Sequence, residues 1–253
     1  MAKNLLYAQD LTVSFDGFKA LDLELFELEE GELRVIIGPN GAGKTTFMDV
    51  MCGKTKPHSG QVMMGNYDLT KLTEKRIVEV GVGRKFQTPT VFGSLSVYDN
   101  FLLAYKTNKG VLRSMFYRIN SEAKNRIEEV AETVGLKDRL DDLAQQLPHG
   151  QKQWLEIGMV LLQDPKVFLV DEPAAGMTDE ETFKTGELLL ELAGDRTIIV
   201  IEHDMEFVRQ IARTVTVFSE GKLLVEGPME VVENDPRVIE CYLGSREEEK
   251  LTQ

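Results

Sequence analysis

Apolar and polar residues alternate along residues 5–15 and again along 21–28, the period of strands with one face buried. The Asp16-Gly17 pair between them predicts a tight turn, hence an antiparallel pair. Residues 32–37 are nearly all apolar, as in a strand covered on both faces, and run straight into a glycine-rich loop. A helix is predicted over Lys44–Met51, then short strands over Ser59–Met64 and 78–84. From about residue 89 to 146 the period becomes helical, over 97–103 and 121–134. Beyond it the pattern predicts a helix from about 151 to 163, a strand at 167–170, a helix near Asp179–Leu192 and a strand at Thr197–Ile201. Two late strands, 215–218 and 223–226, meet at the Glu220-Gly221 turn. The chain shows no internal repeat, low-complexity tract or coiled-coil insertion.

Composition narrows the classes. The 253 residues suffice for one large domain with a subdomain, and 28% charged with 42% hydrophobic residues is ordinary for a globular protein. No run reaches the roughly 20 apolar residues of a membrane span, and no apolar signal segment follows Met1-Ala2-Lys3-Asn4, so a cytoplasmic location is expected. Forty-two acids against 29 bases give a net charge of −13, which disfavours nucleic acid as a partner. Cys52 and Cys241 lack metal-ligand spacing and read as ordinary thiols.

Gly38-Pro39-Asn40-Gly41-Ala42-Gly43-Lys44-Thr45 matches the phosphate-binding P-loop in full and continues into Thr46. Successive backbone N–H groups surround phosphate oxygens, and the helix behind the loop adds its positive end. Lys44 is placed to reach the β- and γ-phosphates of ATP, and the Thr45 hydroxyl to ligate Mg²⁺. Val167-Phe168-Leu169-Val170-Asp171-Glu172 is an apolar strand that delivers two acids at its C-terminal end, where α/β sheets bind ligands. Asp171 suits the Mg²⁺ shell, and Glu172 suits orientation of an attacking water. Trp154 shares a helix face with Ile157 and Leu161 and reads as core.

A third motif, Leu147-Pro148-His149-Gly150-Gln151-Lys152-Gln153, opens a helix upstream of those acids. In this order the three motifs resemble the ATP-binding cassette (ABC) ATPases, and the likeness covers residues 5 to about 244. It implies an α/β fold: a P-loop NTPase core with a mostly parallel sheet, an N-terminal antiparallel β subdomain and an inserted α-helical subdomain. Residues 1–244 would form one nucleotide-binding domain, with the helical part at about 89–150 and a charged tail at 245–253. It further implies that Gln87 contacts the metal or the lytic water, that His203 contacts the γ-phosphate, and that Phe15 stacks on adenine. His149, Gly150 and Gln151 would cap, in trans, the γ-phosphate held by a second subunit. The usual form of that turn is Leu-Ser-Gly-Gly-Gln; Pro148 lacks the Ser hydroxyl and the N–H, and Thr178 stands where an Asp is usual.

The chain is more narrowly similar to importers of branched-chain amino acids and, within them, to urea importer subunits. Gly83-Arg84-Lys85-Phe86-Gln87, Pro89-Thr90-Val91-Phe92, the run from His149 to Gly158, Ala175-Gly176-Met177-Thr178-Asp179-Glu180-Glu181 and Pro236-Arg237-Val238-Ile239-Glu240 carry that likeness. The expected function is ATP hydrolysis driving uptake of urea or a short-chain amide, with branched-chain amino acid import as the alternative. A non-transport ABC ATPase would carry two cassettes or a coiled-coil insertion. The implied partners are transmembrane permease subunits, a second ABC ATPase subunit and, indirectly, a periplasmic solute-binding protein, at the inner face of the cell membrane.

Overall fold

A computed structural model describes residues 4–86, 90–105 and 121–242. Two 12-residue strands, β1 (Asn4–Phe15) and β2 (Phe18–Glu29), pair antiparallel across the Asp16-Gly17 turn, where both residues take positive φ. With β4 (Ser59–Met64) and β5 (Tyr67–Asp68) they form a sheet of order β2-β1-β4-β5.

A second, six-stranded sheet carries the site. Its strands are β3 (Leu33–Ile37), β6 (Val82–Lys85), β7 (Val167–Asp171), β8 (Thr197–Ile201), β9 (Thr214–Ser219) and β10 (Lys222–Gly227), in the order β10-β9-β3-β8-β7-β6. All neighbours are parallel except β10 with β9. Every residue of β3, β7 and β8 is buried, because the sheet is covered on both faces. The alternation of strand side chains divides them between two cores. Leu33, Val35, Phe168, Val170, Ile198 and Val200 enter one; Ile36, Val167, Leu169, Ile199 and Ile201 enter the other.

The second core also holds Phe47, Met48 and Met51 of helix α1 (Lys44–Met51) and the inner face of the antiparallel sheet. Helix α2 (Glu74–Val80) follows β5. The first core holds α3 (Val97–Ala104), α4 (Ser121–Thr133) and α5 (His149–Leu161), with α6 (Asp179–Leu192) and α7 (Met205–Ile211). Gly158 of α5 lets the buried Phe101 ring of α3 approach, since a Cβ there would lie 2.6 Å from the ring. A short helix, α8 (Met229–Val232), follows β10, and residues 236–242 are helical.

One predicted element is wrong in kind. Residues 78–80 do not begin a strand but end α2, which Thr73 caps at its N-terminus and Gly81, at φ 111°, closes in the left-handed conformation. Only Val82–Lys85 is strand. The β-branched run concealed two good caps.

Candidate functional site

The order β3-β8-β7-β6 sets the C-terminal ends of four parallel strands side by side. The register places Ile36, Ile201 and Asp171 in one row, with Lys85 beside Val170. The loops leaving these ends therefore converge: the P-loop after β3, Glu202-His203 after β8, Asp171-Glu172 at β7, and the segment entering residue 87 after β6.

The P-loop needs its glycines. Gly38 has φ 151° and a Cβ on it would meet Phe218 O at 2.2 Å; Gly43 has φ 94° and would meet Ala20 O at 2.5 Å. The second contact also brings β2 against the loop. Phe15 and Phe18 face each other across the turn that precedes Ala20, and both rings are exposed. Lys44 Nζ folds back to donate to Gly38 O at 2.6 Å and Pro39 O at 3.0 Å. Burial lowers the Lys44 pKa, while the charges of Glu172 and Asp171 push it up. Phosphate oxygens would replace those two carbonyls as acceptors. The Thr45 hydroxyl is exposed and forms no hydrogen bond among the described residues.

Asp171 is nearly buried and accepts from Arg84 Nη2 at 2.9 Å. The other terminal nitrogen of Arg84 donates to Asp49 Oδ1 of α1 at 2.5 Å and lies 3.4 Å from Cys52 Sγ. Burial opposes the Arg84 charge, yet the bonds to Asp49, Cys52 and Asp171 raise its pKa overall. Its guanidinium also covers the Phe86 ring at 4.8 Å. Arg84 was part of a sequence motif without a role; the fold makes it the clamp between the P-loop helix and the acid strand.

Glu172 is held at φ 44°, a left-handed conformation unusual for a non-glycine residue, by its N–H bond to Ile201 O at 2.9 Å. The turn swings its carboxylate to 3.5 Å from His203 Nδ1. The buried Glu202 carboxylate accepts from the N–H groups of His203 (2.8 Å), Asp204 (3.2 Å) and Ala174 (3.3 Å). It thus fastens the His203 loop to the loop after Glu172, a role that no local sequence signal marks.

Pro148 is the N-cap of α5 and makes no side-chain cap bond, so the first amides, at His149, Gly150 and Gln151, have no acceptor inside the helix. His149 Nε2 sits 3.1 Å from Ala175 O, and an added Cβ on Gly150 would meet Glu181 Oε1 at 2.4 Å. The turn therefore packs on the start of α6. Thr178 caps α6 in a reciprocal pair with Glu181. Gln151 Oε1 accepts from Arg139 at 3.1 Å, and Trp154 Nε1 donates to Thr185 at 2.9 Å from a partly buried position. Gln87, Pro89 and the charged tail at 245–253 lie outside the described residues.

An arginine whose two terminal nitrogens bond Asp49 and Asp171, an exposed Thr45 hydroxyl and a lysine resting on loop carbonyls suit Mg²⁺ held through oxygen. Among the described residues no group of three or more His, Cys, Asp or Glu could hold a metal. Fold and site together define a P-loop nucleotide-binding ATPase cassette.

Comparison with known proteins carries this further. The family model described as ABC transporter matches residues 22–175, and that described as branched-chain amino acid ATP-binding cassette transporter matches 222–248. The high-affinity branched-chain amino acid transport ATP-binding protein LivG of Salmonella typhimurium is 36% identical over 96% of this chain and 99% of its own length. BraF of Pseudomonas aeruginosa, of the same description, is 32% identical over 96% and 99%. A solved nucleotide-free ATP-binding cassette from an ABC transporter superposes with TM-score 0.83, at 30% identity, over 95% of this chain and 99% of that one. The chain belongs to the ABC transporter ATP-binding proteins, in the branched-chain amino acid (LivG-like) family, and is an ATPase coupled to transport. Among the described residues, no helix is long and apolar enough to cross a membrane. The relatives named here are amino acid transporters, matching the alternative reading of the sequence more closely than urea.

Proposed function

We propose that this chain powers an importer of branched-chain amino acids by hydrolysing Mg·ATP at the ends of β3, β7 and β8. The observation that carries the site is the convergence of Lys44, Asp171, Glu172 and His203, with Glu172 held at 3.5 Å from His203. Lys44 binds the β- and γ-phosphates, and the P-loop amides from Gly38 to Thr46 enclose them. Phe15 offers its exposed ring to adenine. Glu172 and His203 hold a water in line with the γ-phosphate, and Thr45, Asp171 and Gln87 supply the oxygen ligands of the metal. Bound Mg²⁺ supplies charge that neutralises the transferring phosphoryl group.

Two cassettes close on two nucleotides, with His149, Gly150 and Gln151 of each completing the other's site through the positive end of α5. The neighbour is a second ABC ATPase subunit. The helical part, about 89–150 within a domain of 1–244, passes closure to transmembrane permease subunits, which receive solute from a periplasmic solute-binding protein. The cassette thus sits on the cytoplasmic face of the membrane.

Glu172→Gln is the test of the site. ATP binding is expected to persist while steady-state turnover falls about a hundredfold or more, the scale of a lost general base. Undiminished turnover would remove Glu172 from that role. For the substrate, the relatives' names favour amino acids, while the motifs around Lys85 and His149 keep urea as the second reading. Uptake of labelled leucine and of labelled urea in cells lacking this chain separates them: loss of leucine uptake supports the proposal, and loss of urea uptake alone overturns it.

A further inference from the structure

The Phe15 ring assigned to adenine stands on a hairpin tip that no core holds. Residues 15–19 are all exposed, while Val13 and Ala20 on either side are buried. The pairing of β1 with β2 slips between Val13↔Leu21 and Ser14↔Lys19, which leaves Ala20 unpaired. A bulge of this kind bends the strands locally. Ala20 is also the residue whose carbonyl abuts Gly43 of the P-loop. The bend therefore separates the phosphate-binding loop from the tip, and the pose of the Phe15 ring has to be set by something beyond it.

On the other edge of β1, pairing with β4 ends at Thr12↔Ser59, and Pro57 has no N–H with which to extend that strand. His58 fills the gap. Its backbone N–H donates to Thr12 O at 2.8 Å, and its ring Nδ1 accepts from Ser14 N at 3.2 Å. Thr12 O and Ser14 N lie two residues apart on one edge, the spacing of an antiparallel ladder. An imidazole nitrogen thus stands where a backbone carbonyl would continue the sheet. Ser14 is the residue before Phe15. The bond fixes the backbone that carries the ring, from a residue 44 positions along the chain.

We propose that His58 is a positioning residue for the adenine end of the ATP site: its ring holds the Ser14 amide, and through it the angle at which Phe15 meets the base. This role rests on the assignment of Phe15 to adenine. A hydrogen bond at an exposed edge competes with water, so its loss loosens the tip without unfolding the domain. The P-loop keeps its own contacts on the near side of the bulge, so its grip on the phosphates is untouched. His58 therefore acts on base recognition and not on the chemical step.

The test uses the purified full chain and measures Kd for ATP and for inorganic tripolyphosphate, which has no base, together with kcat. His58→Leu removes the acceptor at an exposed position. It is expected to weaken ATP binding about threefold, the scale of one exposed hydrogen bond, with tripolyphosphate binding and kcat unchanged. His58→Asn, whose Oδ1 also accepts, should restore ATP affinity. Phe15→Ala is expected to weaken ATP binding about tenfold through lost stacking, and adding His58→Leu to it should cost nothing more. Four results each overturn the positioning role while Phe15→Ala still weakens ATP binding: wild-type ATP affinity in His58→Leu, an equal loss for tripolyphosphate, no rescue by Asn, or multiplied losses in the double variant. A Phe15→Ala protein that binds ATP as the wild type does removes Phe15 from adenine, and the role of His58 with it.

Discussion

Arg84 offers the sharpest test of how the site is held together. Its side chain is 5% exposed and serves two carboxylates at once, Asp49 on α1 and Asp171 on β7. Arg84→Met fills most of the volume but leaves both acids without that partner. Hydrogen bonds to charged groups contribute about 1.5–3 kcal/mol each, and removing one partner of a buried ion pair costs about 3–5 kcal/mol. Asp49 keeps some access to water and has Lys54 at 3.7 Å as a substitute, so its loss falls at the low end. The stacking of Arg84 on Phe86 adds about 0.5–1 kcal/mol. The expected destabilisation is about 4 kcal/mol, read as a shift of the urea midpoint at constant slope. In a domain of this size it corresponds to about 8–16 °C in thermal midpoint. Arg84→Lys should recover less than half, because one ammonium cannot span both acids. A loss under about 1 kcal/mol in Arg84→Met would refute the argument, and would mean that water serves both carboxylates as well as the guanidinium does.

Three further outcomes are expected. Asn100 is fully buried and makes three hydrogen bonds, accepting from Phe92 N (2.8 Å) and donating to Phe92 O (3.1 Å) and Ser96 O (2.9 Å). Asn100→Ala should cost about 2 kcal/mol in urea unfolding, and a loss below about 0.5 would show that those backbone groups find water. Thr178→Ala removes the cap of α6 and should cost about 1 kcal/mol, with Thr178→Ser close to wild type; equal losses in both would assign the effect to the methyl group. Burial pulls the Lys85 pKa down to about 8 against the charges of Glu156, Asp171, Glu202 and Glu172. The folded state therefore gives up this proton near pH 8 and the unfolded chain near 10.5, so this group's contribution to stability rises with pH between those values. Relative to Lys85→Met, the wild type should gain up to about 3 kcal/mol from pH 8 to 10.5. Parallel unfolding profiles for the two proteins would contradict a lysine buried with a lowered pKa.

Much of this molecule follows from short-range pattern. The two-face burial of β3, β7 and β8 is written in their unbroken apolar runs, and the P-loop in eight consecutive residues. Asp171 and Glu172 were placed correctly because a strand end is a local feature. Where local signals conflicted, the stretch at 78–80 misled: β-branched residues favour a strand, but Thr73 and Gly81 cap a helix through Val80. Substrate is a different matter, since the motifs that mark the site, the P-loop and the acids at the end of β7, are those of nucleotide chemistry.

The clamp at Arg84, the bonds from Thr90 to Glu156, and Glu202 under two loops were settled only by tertiary structure. Arg84 is 35 residues from Asp49 and 87 from Asp171, and Glu156 is 66 from Thr90. Hydrophobic period and capping act within a few residues, so sequence determines which segments are strands and which loops carry glycine or acid. Which buried charges meet depends on which strands lie side by side, and that is the sheet order, β8-β7-β6, which no local pattern encodes.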